Sequence, residues 1–164
     1  MLFPAVLVGL LAGSATSKSL KYTIPASMKL ADDCVTPGEY EIANFITFAG
    51  LANGTSNTTS FYFTDVDTGI STCCQRNSTS TPSTPNPNLT PRWPCDNTAV
   101  EFMYQANGLT VIEAVCPGNT ATNFEASGLT TFDLDCTTTS KGTSCVSKES
   151  LVADNFTSLQ PRPS

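Results

Sequence analysis

The sequence predicts an all-β domain, a small antiparallel barrel or sandwich stapled by disulfides, and three observations carry that prediction. Short runs alternate apolar and polar residues with period two, and turn residues break them at intervals of roughly ten positions. No segment repeats with the helical period of about 3.6 residues. Seven cysteines and no histidine follow an apolar leader. That combination reads as a disulfide framework made in the oxidising secretory route, and it argues against a zinc site.

The leader, Met1 to Gly13, is uncharged and apolar. It is shorter than the roughly 20 residues that cross a bilayer. The small residues Ser14, Ala15, Thr16 and Ser17 follow at once, as a signal peptidase requires. Residues 1–17 are therefore expected to be a signal peptide, and the product to be secreted and extracellular. The remainder has the size of one domain. It divides into an N-terminal arm at 18–33, broken by Pro25, a single β-domain at 34–158, and a tail at 159–164.

Charged residues make up 13% of the chain, against about 25% in an average domain. The net charge is −6 and no cluster of Lys or Arg occurs. Phosphate backbones and anionic membranes both demand such clusters, so neither nucleic acid nor membrane is an expected partner.

In chain order, Glu39 to Phe45 alternates and becomes more apolar through Ile46 and Phe48, which predicts a strand. Gly50 to Thr59 reads as a loop. A strand at Ser60–Thr64, a turn at Asp65–Gly69 and a return strand at Ile70–Cys74 follow. The segment 75–94 holds five prolines and almost no apolar side chains, so it is expected to be a mobile loop. At 99–115 a hairpin is expected around Asn107-Gly108, the dipeptide that suits a type I′ turn. Pairing Ala106 with Leu109 places Val100, Phe102, Tyr104, Leu109, Val111 and Val115 on one face. Two further strands are expected at Phe124–Ser127 and Leu129–Cys136, the second burying Phe132, Leu134 and Cys136. Val146 begins a last, weak strand.

Little in the chain suggests catalysis. Without histidine there is neither a Ser-His-Asp triad nor a Cys-His pair. Asp133 and Asp135 would sit roughly 7 Å apart on one strand face, a spacing that glycosidases use. An exposed strand face accounts for them more simply. Asp65-x-Asp67-x-Gly69 has the alternation of a calcium loop but lacks its remaining ligands, so a tight turn is the better reading. No catalytic residue, metal ligand or cofactor is assigned. Asn53, Asn57, Asn77, Asn88 and Asn155 each begin an Asn-x-Ser/Thr sequon and are expected to carry N-glycans.

Several motifs together give the chain its family likeness. They are Cys34 ahead of Tyr40–Phe45, the strand Ser60–Phe63, Thr72-Cys73, Arg92-Trp93-Pro94-Cys95, the strand Val100–Tyr104, and the loop from Cys136 to Cys145. In their order and approximate spacing the chain resembles the Alternaria major-allergen family of secreted fungal proteins. The resemblance implies a compact β-barrel, a fungal source, no established enzyme activity, and roles in plant immunity and human allergy. It also implies that Cys73 or Cys74 pairs with Cys95, and Cys136 with Cys145. Proximity in sequence agrees with both pairs. The expected scheme is Cys74–Cys95, Cys136–Cys145 and, by elimination, Cys34–Cys116, with Cys73 unpaired or intermolecular. Cys116, the cysteine doublet and the Pro-rich insertion depart from the family pattern.

The first functional expectation is a non-enzymatic, effector- or allergen-like protein that binds an extracellular host protein. A carrier of a small apolar ligand is the alternative, and a carbohydrate-active wall protein using Asp133 and Asp135 is the third. A homodimer is compatible with each.

Overall fold

The structure, a computed structural model, describes residues 20–26, 28, 30–51, 57–84, 88–106, 108–117 and 123–162. The expected signal peptide at 1–17 and the sequon at Asn53 lie outside them. The described residues form strands and turns and no helix.

Eleven strands make two antiparallel sheets. The first sheet contains β1 (Glu39–Gly50), β2 (Thr58–Asp65), β3 (Ser71–Arg76), β8 (Leu134–Thr139), β9 (Gly142–Ser147) and β10 (Leu151–Asn155). Its order is β3-β2-β1-β9-β8, with β10 also paired to β1. The second sheet runs β11 (Ser158–Pro161), β7 (Phe124–Thr130), β6 (Gly108–Val115), β5 (Val100–Gln105) and β4 (Trp93–Pro94).

Strand β1 serves two neighbours along one edge. Glu39–Ala43 pairs with β10 and Ile46–Gly50 with β9. The change-over is a bulge, where Asn44 takes a φ of 53°. Asparagine tolerates this left-handed conformation better than most residues. The extra residue shifts the alternation, so Ile42 and Phe45 both face inward.

The inner faces meet in a core built on aromatic rings. Tyr40, Phe45, Phe61, Phe63, Phe102 and Phe156 are all essentially inaccessible. Phe45 stacks on Phe132 at 4.1 Å, and Phe61 meets Phe102 edge-on at 5.0 Å. The sheets do not close into the barrel that the family resemblance implied. At the β3–β4 seam β4 is only two residues long and ends in Pro94, which has no N–H to donate. One backbone bond, from Asp96 N–H to the Cys73 carbonyl at 2.9 Å, and several side chains bridge that seam. Cys74 is bonded to Cys95, and the Arg76 guanidinium lies over the Trp93 ring at 4.7 Å.

Several boundaries differ from expectation. In the hairpin, Gln105 pairs with Gly108 and Tyr104 with Leu109. Gly108 thus belongs to β6, and not to the turn. It lies against β7, where a Cβ would come within 2.5 Å of the Thr130 carbonyl oxygen. The register moves by an even number, so each side chain keeps its expected face. Strand β7 ends at Thr130 and β8 starts at Leu134, which splits the strand expected at Leu129–Cys136. Cys136 is exposed there, because β8 is an edge strand running past the core. The expected tail is ordered through Pro161, since β11 pairs with β7. Most of 75–94 is loop, but its ends are tied down. Ser83 N donates to Arg92 O at 2.9 Å, and Arg92 N to Thr84 Oγ1 at 3.1 Å.

At Gly128 strand β7 packs tightly against Tyr40 of β1 and Asn155 of β10. An added Cβ would lie 2.6 Å from the Tyr40 ring and 2.7 Å from the Asn155 carbonyl oxygen. Gly128→Ala is expected to lower stability by about 2 kcal/mol through overpacking. Thermal and urea unfolding would check this, with the β-sheet circular-dichroism signal retained.

Candidate functional site

Strand β6 directs Leu109, Val111, Glu113 and Val115 toward the core, one carboxyl among three apolar side chains. Glu113 is 1% exposed, and Asp65, at the end of β2, is 0% exposed. Asp65 organises the turn that follows it. Its Oδ1 accepts the backbone N–H groups of Asp67 at 2.6 Å and Thr68 at 2.8 Å. Gly69, at a φ of 72°, donates its N–H to the Asp65 carbonyl at 3.0 Å. The Thr68 hydroxyl donates to Glu113 Oε1 at 3.0 Å.

Asp65 Oδ2 and Glu113 Oε2 are buried and have no hydrogen-bond partner among the described residues, and Thr68 brings the two carboxyl groups together, its N–H held by Asp65 and its hydroxyl by Glu113. Two carboxyl oxygens can bond only if one carries a proton. Burial, and next the negative charge of Asp65, push Glu113 up to about 8. Burial also raises Asp65, but its two backbone donors favour the ionised form. At neutral pH Glu113 therefore keeps its proton, the one donor that the described residues offer the two buried oxygens.

The outer face of the five-stranded sheet carries a second cluster. Glu125 on β7 is 1% exposed. Arg92 grips it bidentately at 2.7 and 2.9 Å, and Gln160 of β11 donates to it at 2.8 Å. Arg92 also lies 3.6 Å from Glu101 on β5, which Arg162 meets at 3.0 Å. The hydrogen bond to Glu125 is the main reason that the Arg92 guanidinium holds its proton more tightly than usual. Both carboxylates are engaged by protein, so this cluster fastens the 77–92 loop and the C-terminus to the sheet.

The structure closes Cys34–Cys116, Cys74–Cys95 and Cys136–Cys145 and leaves Cys73 free. The first joins the segment before β1 to the end of β6. The last joins directly opposed residues of β8 and β9. Among the sequons, Asn57 accepts the Gly50 N–H at 3.1 Å and Asn77 accepts the Thr79 N–H at 2.9 Å. Asn88 is in the exposed loop, and Asn155 ends β10 half-buried. Asp133 precedes β8, is exposed and pairs with Lys148 at 2.9 Å. Asp135 is exposed on β8. The two lie at an open sheet edge and not in a cleft. No cluster of three metal-binding side chains occurs among the described residues.

The outer face of the six-stranded sheet presents an uncharged strip. The pairing registers put Cys73, Tyr62, Ala43 and Leu151 in one row. A neighbouring row sets Ser60 beside Ile46 and Val146 and ends at the exposed Asp135 of β8, so the uncharged strip stops there. Tyr62 is 57% exposed, and Ile46, Val146 and Leu151 are each more than 40% exposed.

Glu113 and Glu125 were not foreseen from sequence. Glu113 shares the parity of Leu109, Val111 and Val115, which is a readable signal. Glu125 gave no such signal, because its partner Arg92 is 33 residues away.

Two solved structures of the Alternaria alternata major allergen Alt a 1 share this architecture. One has a TM-score of 0.51 at 13% identity, covering 84% of this chain and 98% of the allergen. The other has a TM-score of 0.49 at 13% identity, covering 77% and 95%. At this identity the likeness is one of fold. No protein-family model matches the chain, and no curated protein sequence matches it significantly.

Arg92→Met leaves the buried Glu125 carboxylate without its cation and is expected to cost about 3 kcal/mol. Adding Glu125→Met should restore most of that loss. A double-mutant cycle by urea unfolding would check it, and equal instability of the single and double variants would contradict it.

Proposed function

We propose that this chain is a secreted, non-enzymatic fungal protein, effector- or allergen-like, that binds an extracellular host protein. Its contact surface is the apolar strip on the outer face of the six-stranded sheet, which Glu41 and Asp135 border. The observation that carries this reading is the exposure of Tyr62, Ile46, Val146 and Leu151 on one strip of an otherwise acidic protein. Contiguous apolar surface of this kind marks interaction sites more often than isolated apolar residues do. Three disulfides are consistent with an oxidising extracellular setting, and the fold likeness to the allergen fits the same class.

The carrier reading is less well supported. Rings of Tyr40, Phe45, Phe61, Phe63, Phe102 and Phe156 fill the space between the sheets. The glycosidase reading would need Asp133 or Asp135 in a shielded site with a raised pKa. Asp133 is instead a solvated partner of Lys148.

Three proteins would be compared in a plant defence-response assay: wild type, Asp133→Asn with Asp135→Asn, and Ile46→Ser with Tyr62→Ser. Wild type and the aspartate variant should be equally potent, and the surface variant at least about tenfold weaker, as for loss of a binding hot spot. Glycan hydrolysis by the wild type that disappears in the aspartate variant would refute the proposal.

A further inference from the structure

The Asp65–Glu113 pair connects β2 to β6, which no disulfide joins directly, while Cys34–Cys116 ties the segment before β1 to the end of β6. Glu113 belongs to β6 of the five-stranded sheet, and Asp65 to β2 of the other. Asp65 shapes the β2–β3 turn, and Asp67 within that turn accepts the Glu39 backbone N–H at 2.9 Å. The Asp67 carboxylate rests against Gly38, which also lies under Leu20 of the N-terminal arm. From the same arm, Tyr22 donates its hydroxyl to the Pro37 carbonyl. The start of β1, the turn and the arm are thus assembled around Asp65.

We propose that the proton shared by Asp65 and Glu113 is a latch. While present it holds the β2–β3 turn and the N-terminal arm against the five-stranded sheet, and its loss lets the turn and the part of the arm before the Cys34–Cys116 bridge detach. The reason is the placement of the charges. Removing the proton leaves two anions facing each other in a spot that water does not reach, and no described Lys or Arg pairs with either. The groups that face the pair are Tyr22 from the arm, and Asp67 and Thr68 from the turn. None supplies positive charge. Strand β6 is held on both sides, by β5 and β7, so the turn is the part free to move and bring the carboxylates into water.

The direction with pH follows from the same groups. Glu113 is raised from 4.5 to about 8, so the folded protein keeps a proton that the unfolded chain releases. The latch contributes fully below about 4.5, weakens as pH rises and is lost above about 8. Tyr22, raised to about 12 chiefly by burial, stays neutral throughout this range. The device is closed in acidic surroundings and open in mildly alkaline ones.

Amide hydrogen exchange on the full folded protein tests this. Protection factors, corrected for intrinsic exchange, would be followed from pH 6 to pH 9 in peptides covering 20–26 and 65–70. In the wild type they should fall at least about tenfold, the effect of one unit of proton linkage. Protection in β6 and β7 should not change. Glu113→Gln keeps an N–H donor for Asp65 and an acceptor for Thr68, and Asp65→Asn keeps the acceptor for the turn amides. Both variants should remain protected across the whole range. A flat wild-type profile, or variants that lose protection as the wild type does, would overturn the proposal. Should the variants fail to fold, carbon-13 carboxyl titration of the wild type decides. A Glu113 midpoint near 8 supports the latch, and one near 4.5 refutes it.

Discussion

Tyr40 is the contact on which the two-sheet arrangement depends. It belongs to β1, at the centre of the six-stranded sheet, and its side chain is fully buried against the other sheet. Its hydroxyl bonds Thr130 Oγ1 of β7 at 2.8 Å, and its ring lies 4.8 Å from that of Phe156. Gly128 provides the space for the ring. A buried hydroxyl without a partner costs about as much as a lost hydrogen bond, so the Tyr40–Thr130 bond fixes how β1 sits over β7. Just beyond it, Phe156 carries the chain from β10 in one sheet to β11 in the other.

The disulfides reinforce places the ladders leave weak. Cys34–Cys116 spans 82 residues and Cys74–Cys95 spans 21, so both restrict the unfolded chain across the two sheets. Cys136–Cys145 spans nine and strengthens only an edge hairpin. Buried charge is handled in two different ways. On the outer face of the five-stranded sheet, guanidinium groups neutralise Glu101 and Glu125. Between the sheets no Lys or Arg among the described residues pairs with Asp65 or Glu113, and a proton held by Glu113 takes its place. The first arrangement is insensitive to pH near neutrality because arginine does not titrate there. In the proposed latch the compensating charge is an exchangeable proton, and that is what ties it to pH.

This contrast separates scaffold from candidate function. Where charge is locked by arginine the chain is anchored. Where no described Lys or Arg pairs with the carboxyls, a turn and the N-terminal arm are gathered around the buried pair. The apolar strip around Tyr62 and Ile46 lies on neither cluster, so it and the buried pair are separate features of the fold.

Period-two alternation, the scarcity of charge, the absence of histidine and the cysteine count determined by themselves an all-β domain with a disulfide framework. They also set which face each side chain of β5 and β6 would take, because strand parity is a local property. Tertiary structure alone decided the rest. Whether the sheets close depends on β4, whose two residues and terminal proline cannot continue a ladder to β3. The strand at 158–161 is recruited from an apparent tail by the open edge of β7. The pairing of Arg92 with Glu125 and of Asp65 with Glu113 joins residues distant in sequence. Neither partner's neighbours encode such a meeting, since burial and the charge it forces into contact are set only when the sheets pack.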